Sequence, residues 1–501
     1  MHLLLQFFLA FLTIIVSKFI HKFIWVPRKL HLQFQKQGIT GPGYHLIIGN
    51  ASEIRTLILK SLSKPILLNH DIFHRAVPFY HLWSSMYGKT FIYWFGSTPR
   101  LAVSDPGMIK EVLLNSSGAF EKIDFNPTAK LLVGGGLVAI SGEKWALHRR
   151  IANQAFKSYF AWVPEAVAST EKMLERWEME RGGRVEFEVE VSKEFHQLTA
   201  DIISRTAFGN SFEDGKKIFE NQEKLIVLTS LALRTVYIPT FRYWPTAKNR
   251  ERWRLNKEIK EATEKLIHVD CDKGYSKNLL SLLRSPHKNH EGKEEVLGVE
   301  DIINECKTFY LAGKETSGNF LSWAILCLAM SQDWQTLARD EVARVFKGKK
   351  APAAEDLNEL KLIALIINET LRLYPPAVMI IRDVVKDVKL GSIFIPAGAQ
   401  VNLAMTAVHH DPEIWGEDSH KFNPWRFNEP RKYLGAFFPF GLGARFCVGQ
   451  NLALVEAKVA LAMVINRYSF DVSPAYRHAP MQYLTLQPQH GVQIIFRRIA
   501  D

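Results

Sequence analysis

The chain opens on a run in which apolar positions are almost uninterrupted. From Leu3 to Val16 only Gln6 and Thr13 are polar, and beyond Lys18 and Lys22 the apolar set continues through Phe19, Ile20, Phe23, Ile24 and Trp25. Counted to Trp25, the stretch is long enough to cross a bilayer as a helix. Its Lys and Arg residues all lie toward the C-terminal side, at Lys18, Lys22, Arg28 and Lys29. That asymmetry predicts a lumenal N-terminus and a cytoplasmic body. A cleaved secretory signal would carry a basic start and a small-residue cleavage site, and Met1-His2 and the residues after the run have neither. Residues 1–25 are therefore expected to be a membrane anchor. Residues 26–50, with Gly38-Ile39-Thr40-Gly41-Pro42-Gly43, are expected to be a linker, and residues 51–501 the body.

In the body the period shifts between two and 3.6. Thr90–Phe95 and Arg100–Val103, separated by Gly96 and Pro99, read as strands. Helical periodicity runs from Val163 to Leu266 and from Val299 to Phe346. Pro352 breaks the chain, and a helix over Asp356–Leu373 is stopped by Pro375-Pro376. Strand-like pieces surround Val388–Ile395 and Val401–Met405, and a last helix runs from Cys447 to Tyr468. The polar stretch Cys271–Gly298 reads as a surface loop. No repeat or compositional break divides the body. The predicted fold is mainly α with small β-sheets (α+β): one large domain preceded by a transmembrane helix.

Composition changes the picture in two places. Of 501 residues, 47% are hydrophobic and 23% charged, which excludes disorder, collagen and coiled coil. Lys+Arg 63 against Asp+Glu 51 gives a net charge of +12. A basic balance suits an anionic membrane, an acidic partner protein or nucleic acid. No run interleaves stacking aromatics with basic residues, so nucleic acid is set aside. The four cysteines, Cys271, Cys306, Cys327 and Cys447, form no CxxC pair and no disulfide framework. His409-His410-Asp411 looks metal-like, but adjacent histidines do not face one site on a strand or helix.

One cysteine has unusual company. Residues 440–449 read Phe-Gly-Leu-Gly-Ala-Arg-Phe-Cys-Val-Gly, followed by helical sequence. Glycines let backbone approach a flat ligand. Backbone N–H groups at a helix N-terminus stabilise a thiolate, and a lone thiolate is an axial ligand for haem iron. Arg445 could pair with a haem propionate. Here the chain resembles the cytochrome P450 superfamily of haem-thiolate monooxygenases, whose F-x-x-G-x-R-x-C-x-G signature is filled by Phe440, Gly443, Arg445, Cys447 and Gly449, with Gly441 a frequent addition.

The resemblance extends to other segments and implies roles for them. Glu369 and Arg372 lie at i, i+3 on one helix face. In this family such a pair locks with an Arg from a later segment, here Asn423-Pro-Trp-Arg-Phe427, so Arg426 is the implied third member, with Trp425 where the family usually has Glu. Ala312-Gly-Lys-Glu-Thr-Ser317 is poor interior-helix sequence. It matches the oxygen-activation motif, implying a kink at Gly313, a hydroxyl donor in Thr316 and a proton relay through Glu315. Trp145 and Arg149, at i, i+4, match a propionate-binding helix, with His148 between them as a surface residue or one that supports the site's residues from behind. Arg382 matches a further propionate partner.

The resemblance further implies haem b as cofactor, with NADPH and flavins entering only through a partner NADPH-cytochrome reductase. It also implies dioxygen, a lipophilic substrate and a location on the endoplasmic reticulum membrane. Docking of an acidic flavoprotein near Cys447 would use the basic charge. Within the superfamily Lys36–Ile39, Asn304–Tyr310 and Pro488–Gly491 resemble a plant clan that oxidises brassinosteroids, gibberellins, cytokinins, fatty acids and terpenoids, brassinosteroid-inactivating hydroxylases among them. Residues 120–138, Ala377–Ile381 and Met481–Thr485 are the expected pocket, mostly apolar, which favours a steroid, terpenoid or similar molecule. Two other readings stay open: a reductase-independent isomerase or dehydratase, and a catalytically silent haem scaffold.

Overall fold

A computed structural model describes residues 2–157, 159–209, 211–233, 236–237, 239–269, 278–288, 292, 294–429 and 435–499. The apolar start forms one helix from Leu3 to Gln35, its turn at His21–Trp25 widened to π geometry. Most of that helix is exposed, but its last turns are not. Pro27, Leu30 and Phe34 are buried, and Leu30, Phe34 and Ile39 pack with Ile92 and Trp94. The Gly/Pro stretch that follows is docked against the body. A Cβ at Gly41 would stand 1.8 Å from the Ile92 carbonyl oxygen, so only glycine lets the backbone lie that close.

Thr90–Phe95 and Thr98–Val103 form a hairpin that begins a five-stranded sheet. Gly96, with φ +64°, makes the turn. Gln400–Leu403 lies parallel to the second strand, Ile380–Val384 follows antiparallel, and Phe120–Lys122 closes the edge. A second sheet joins Tyr468–Val472, Gln493–Arg498 and Glu186–Glu190. Glu186–Glu190 interrupts the stretch read as helical from Val163. Its alternating Glu-Phe-Glu-Val-Glu is a period-two pattern that buries Phe187 and Val189.

The helical stretch expected up to Leu266 is thus resolved into Tyr159–Arg181, Val191–Ile203, Phe212–Leu233 and Ala247–Val269. The one from Val299 becomes Val299–Met330 and Gln332–Phe346, parted at Ser331. Within the expected loop, Leu279–Arg284 is a helix that buries Leu279, Leu280 and Leu283. Cys271 lies outside the described residues.

Val299–Met330 is the central helix. From Phe320 to Ala329 every residue is buried, because this half is apolar on nearly all faces and packs on all sides. It crosses Val191–Ile203 closely. A Cβ at Gly313 would meet Ile203 at 2.7 Å. The helix runs unbroken through Gly313. The observable use of this glycine is close helix packing.

Candidate active site

The cysteine loop is mounted rigidly between Phe438 and the helix Gln450–Arg467. Cys447 N–H donates to the Phe440 carbonyl at 2.9 Å, and Gly441 N–H to that of Phe438 at 3.0 Å. Gly443 has φ +72°, and a Cβ there would lie 2.1 Å from the Leu113 carbonyl oxygen, so no other residue fits. At the helix start the N–H groups of Gly449 and Gln450 point at the Cys447 sulfur. Burial pushes the thiol pKa up, and Gly449, Arg149 and Gln450 pull partly against it. Yet Cys447 has ample accessible surface. A desolvated group with accessible surface lines an interior space, and that is how we read it.

Four cations gather around this loop. Arg149, on Gly142–Ala155, donates to the Phe446 carbonyl at 2.7 Å and stacks over the Phe446 ring. Arg445 lies 4.4 Å over the Trp145 ring and reaches the Ile140 carbonyl. Arg382 lies on Ile380–Val384, opposite Lys122 in register. Lys122 contacts the Phe125 ring, and its ammonium has no hydrogen-bond partner. Burial first, then Arg445 and Arg382, pulls Lys122 down to about 7, while burial and Arg445 pull Arg382 to about 10. Nη2 of Arg149 is also buried without a partner. Among the described residues none of the four is in an ion pair, although Glu121 influences Arg445. Mutually repelling, half-buried cations with orphaned donors fit a ligand bearing carboxylates. A neighbouring thiol with N–H groups aimed at its sulfur fits a metal on the same ligand. Haem b, with its iron and two propionates, meets both conditions.

On the central helix the buried surface opens at Ala312, which is exposed, and at Gly313 and Thr316, which are half-buried. Ala312 and Thr316 share a face at i, i+4, and the Thr316 hydroxyl donates to the Ala312 carbonyl at 2.6 Å. Glu315 points elsewhere. Its carboxylate lies 3.8 Å from His196 Nε2 and 3.9 Å from Lys314 Nζ. The three expected pocket segments reach this neighbourhood. Lys307 donates to the Leu131 carbonyl, Asn319 to the Thr485 hydroxyl, and Ile380 lies beside Gly441.

Glu369 and Arg372 are fully buried and joined by two hydrogen bonds of 2.8 and 2.7 Å. Arg426 Nε stands 3.4 Å from Glu369, while its other nitrogens bind Asp418 and the Trp415 carbonyl. The triad is assembled, with its third member held chiefly by Asp418. Among the described residues no group of three or more His, Cys, Asp and Glu side chains is placed to hold a metal ion.

Two features were missed in the sequence. Lys122 acquires its meaning only by pairing across the sheet with Arg382, for which no local signal exists. His148, for which the sequence left a surface or a supporting position behind the site open, is buried, and its Nδ1 lies 2.5 Å from Glu305 on the central helix, a partner the sequence did not indicate. Its position just before Arg149 could have suggested the inward face.

Comparison with known proteins agrees with this geometry. The family model described as Cytochrome P450 matches residues 65–496. Cytochrome P450 734A1 of Arabidopsis thaliana is 42% identical over 507 residues, covering 98% of this chain and 96% of that protein. Cytochrome P450 734A6 of Oryza sativa subsp. japonica is 42% identical, covering 94% and 92%. Cytochrome P450 CYP72A616 of Paris polyphylla is 40% identical, covering 95% and 94%. With the domain matched across most of its length and such relatives end to end, the chain belongs to the cytochrome P450 family of haem b monooxygenases.

Proposed function

We propose that the protein is a membrane-anchored monooxygenase that inserts one oxygen atom from dioxygen into a lipophilic substrate of the steroid, terpenoid, gibberellin-like or fatty acid class. Its electrons come from an NADPH-dependent cytochrome reductase. The observation that carries this reading is the thiol of Cys447 facing an interior space beside four cations that no carboxylate pairs. Haem b, when bound, supplies the iron that activates dioxygen and the propionates that answer those cations. Cys447 would give the iron its sulfur ligand, and the N–H groups of Gly449 and Gln450 favour its negative charge. Phe440 and Gly441 keep the loop in shape through their backbone hydrogen bonds. Arg149, Arg382, Arg445 and Lys122 would hold the propionates, and the Trp145 ring lies against Arg445. Thr316 holds a proton at the accessible face beside Ala312, and Glu315 resupplies it. The apolar segments around Phe125, Leu131, Ile380 and Leu484 exclude water and orient the substrate.

The helix Leu3–Gln35 supports the anchor, being apolar and unburied over a span that can cross a membrane. Its basic C-terminal side supports a catalytic body, residues 51–501, on the cytoplasmic face of the endoplasmic reticulum, with residues 26–50 as the connection. Exposed Leu46, Ile47 and Ile48 lie close after the anchor, as a body resting on a lipid surface requires.

The first test is the reduced, carbon-monoxide-bound spectrum. The parent is expected to give the thiolate Soret band and Cys447→Ala to lose it; a parent without that band overturns the assignment. Reductase-coupled turnover of a steroid, gibberellin, terpenoid and fatty-acid panel then decides the substrate class.

A further inference from the structure

The surroundings of Glu315 form a built arrangement of their own. Gly318 leaves room for His196: a Cβ there would stand 3.0 Å from both Cα and Cγ of that residue. With Gly313 making the same allowance for Ile203, two glycines let the His196 ring lie against the central helix one turn from Glu315. The start of its own helix is fixed by Glu190, which accepts the N–H groups of Ser192 and Lys193. The ring itself is held at Nδ1, 2.6 Å from the Ser192 carbonyl oxygen, so Nδ1 carries a hydrogen and donates it there. The only nitrogen left to gain or lose a proton is Nε2, the atom that faces Glu315 at 3.8 Å.

Accessibility grades along this line. The side chain of Glu315 is 7% accessible and that of His196 16%. Burial is nonetheless the largest influence on His196. Lys314, 4% accessible, pairs with Glu223 of Phe212–Leu233, which is 58% accessible, and lies 3.9 Å from Glu315. The charged groups around the ring are therefore Glu315 and Lys314, with Glu223 behind them. The acids of its own helix turn elsewhere: Glu194 to Arg176 and Trp177, Asp201 to Arg205 and Ser169. Burial lowers His196, but Glu315 more than compensates and raises it above its ordinary value. Burial raises Glu315, but His196 and Lys314 more than compensate and hold it below the ordinary carboxylate value.

We propose that His196 is the positioning residue that aims the Glu315 carboxylate and the point at which solvent protons enter toward it, with Lys314 keeping that carboxylate charged between transfers. This rests on the reading of Glu315 and Thr316 given above. A solvent proton is taken at Nε2. The Nε2–H bond then breaks as a Glu315 Oε2–H bond forms, through a closing movement or one water. The imidazole is left neutral with its Nδ1 hydrogen still on Ser192. Glu315 passes the proton toward the Thr316 face and returns to the carboxylate. No electron changes hands.

The pairing is tested first in the reduced, carbon-monoxide-bound holoenzyme with carbon-13-labelled histidine. The resonance missing from His196→Gln is expected to titrate above 6.5, to fall in Glu315→Gln and to rise in Lys314→Met. A titration unchanged by Glu315→Gln overturns the pairing. Lys314→Met carries this readout in a protein with His196 intact, should His196→Gln fold poorly. The role is tested with purified reductase and NADPH by the hydrogen peroxide released per NADPH consumed across neutral pH. His196→Gln is expected to raise that yield about threefold or more and to flatten its pH dependence, with the carbon-monoxide spectrum unchanged. A His196→Gln enzyme with the parent's yield and pH profile overturns the proposal. If Glu315→Gln is equally silent, the reading of Glu315 has failed; if Glu315→Gln alters the yield and His196→Gln does not, the assignment of His196 alone has failed.

Discussion

Two clusters of buried charge stand in this fold and are opposite in kind. Around Glu369 the charges are answered from within the chain: Arg372 by the carboxylate and by the carbonyls of His409 and Ser419, Arg426 by Asp418 and Glu369. Around Cys447, Lys122, Arg149, Arg382 and Arg445 repel one another, with donors left over. A buried charge paired inside the chain is scaffold, since removing its partner strands the other. A buried charge without a partner is costly by itself and is tolerated where a ligand completes it. Arginines are therefore answered from within the chain in one region and, on the proposed function, by a cofactor in the other.

The comparison breaks most visibly at Arg372. Arg372→Met takes both close hydrogen bonds from the fully buried Glu369 and leaves it only the longer contact to Arg426 and the Asn423 N–H, and should cost about 3 kcal/mol. Thermal unfolding of the holoenzyme reads it, and an unchanged midpoint would mean the network is not scaffold. At the cysteine loop Gly443→Ala forces a Cβ toward the Leu113 carbonyl at positive φ and should cost about 3 kcal/mol. Its signature is a weakened thiolate band as well as a lowered midpoint.

Lys122→Met should reverse the sign. It removes a repelled charge, so the haem-free chain should gain about 1 kcal/mol while haem release quickens by about tenfold. Chemical unfolding and haem transfer to an acceptor protein measure the two effects. The pH dependence sharpens this. In the unfolded chain Lys122 titrates near 10.5, and in the haem-free fold at about 7. The haem-free fold therefore loses stability as pH falls through that window. A propionate would restore the proton, so haem loading takes one up there. Retention should then weaken as pH rises, by up to about tenfold per unit, and Lys122→Met should flatten the dependence. The smallest effect is expected of Trp425→Glu, beside the paired cluster. Trp425 is 52% exposed and touches Trp334 edge-on at 5.6 Å, so its loss should stay below about 1 kcal/mol in a thermal melt.

Much of this was legible along the chain. The hairpin Thr90–Phe95 and the helix ended by Pro375-Pro376 carry their signals locally, in period and in residues that halt it. Glu186–Glu190 carried such a signal too, but five alternating residues were submerged in helical neighbours. The glycines of the cysteine loop could be expected to matter, because close approach leaves that residue type little alternative. The pairing of His148 with Glu305 and the role of Lys122 were not legible, since each depends on a partner far away in sequence.

The sequence by itself determined the first helix's apolar length, the mixture of long helices and short strands, and the cysteine loop, because hydrophobic period, turn chemistry and a contiguous motif are properties of neighbours along the chain. Only the tertiary structure decided which charges are paired. It brought Lys122 opposite Arg382, turned Arg426 to Asp418, and set His196 against Glu315 through the space left by Gly318. The physical reason is that the energy of a charge is set by the burial and the company it meets in three dimensions, and residues distant in sequence supply both.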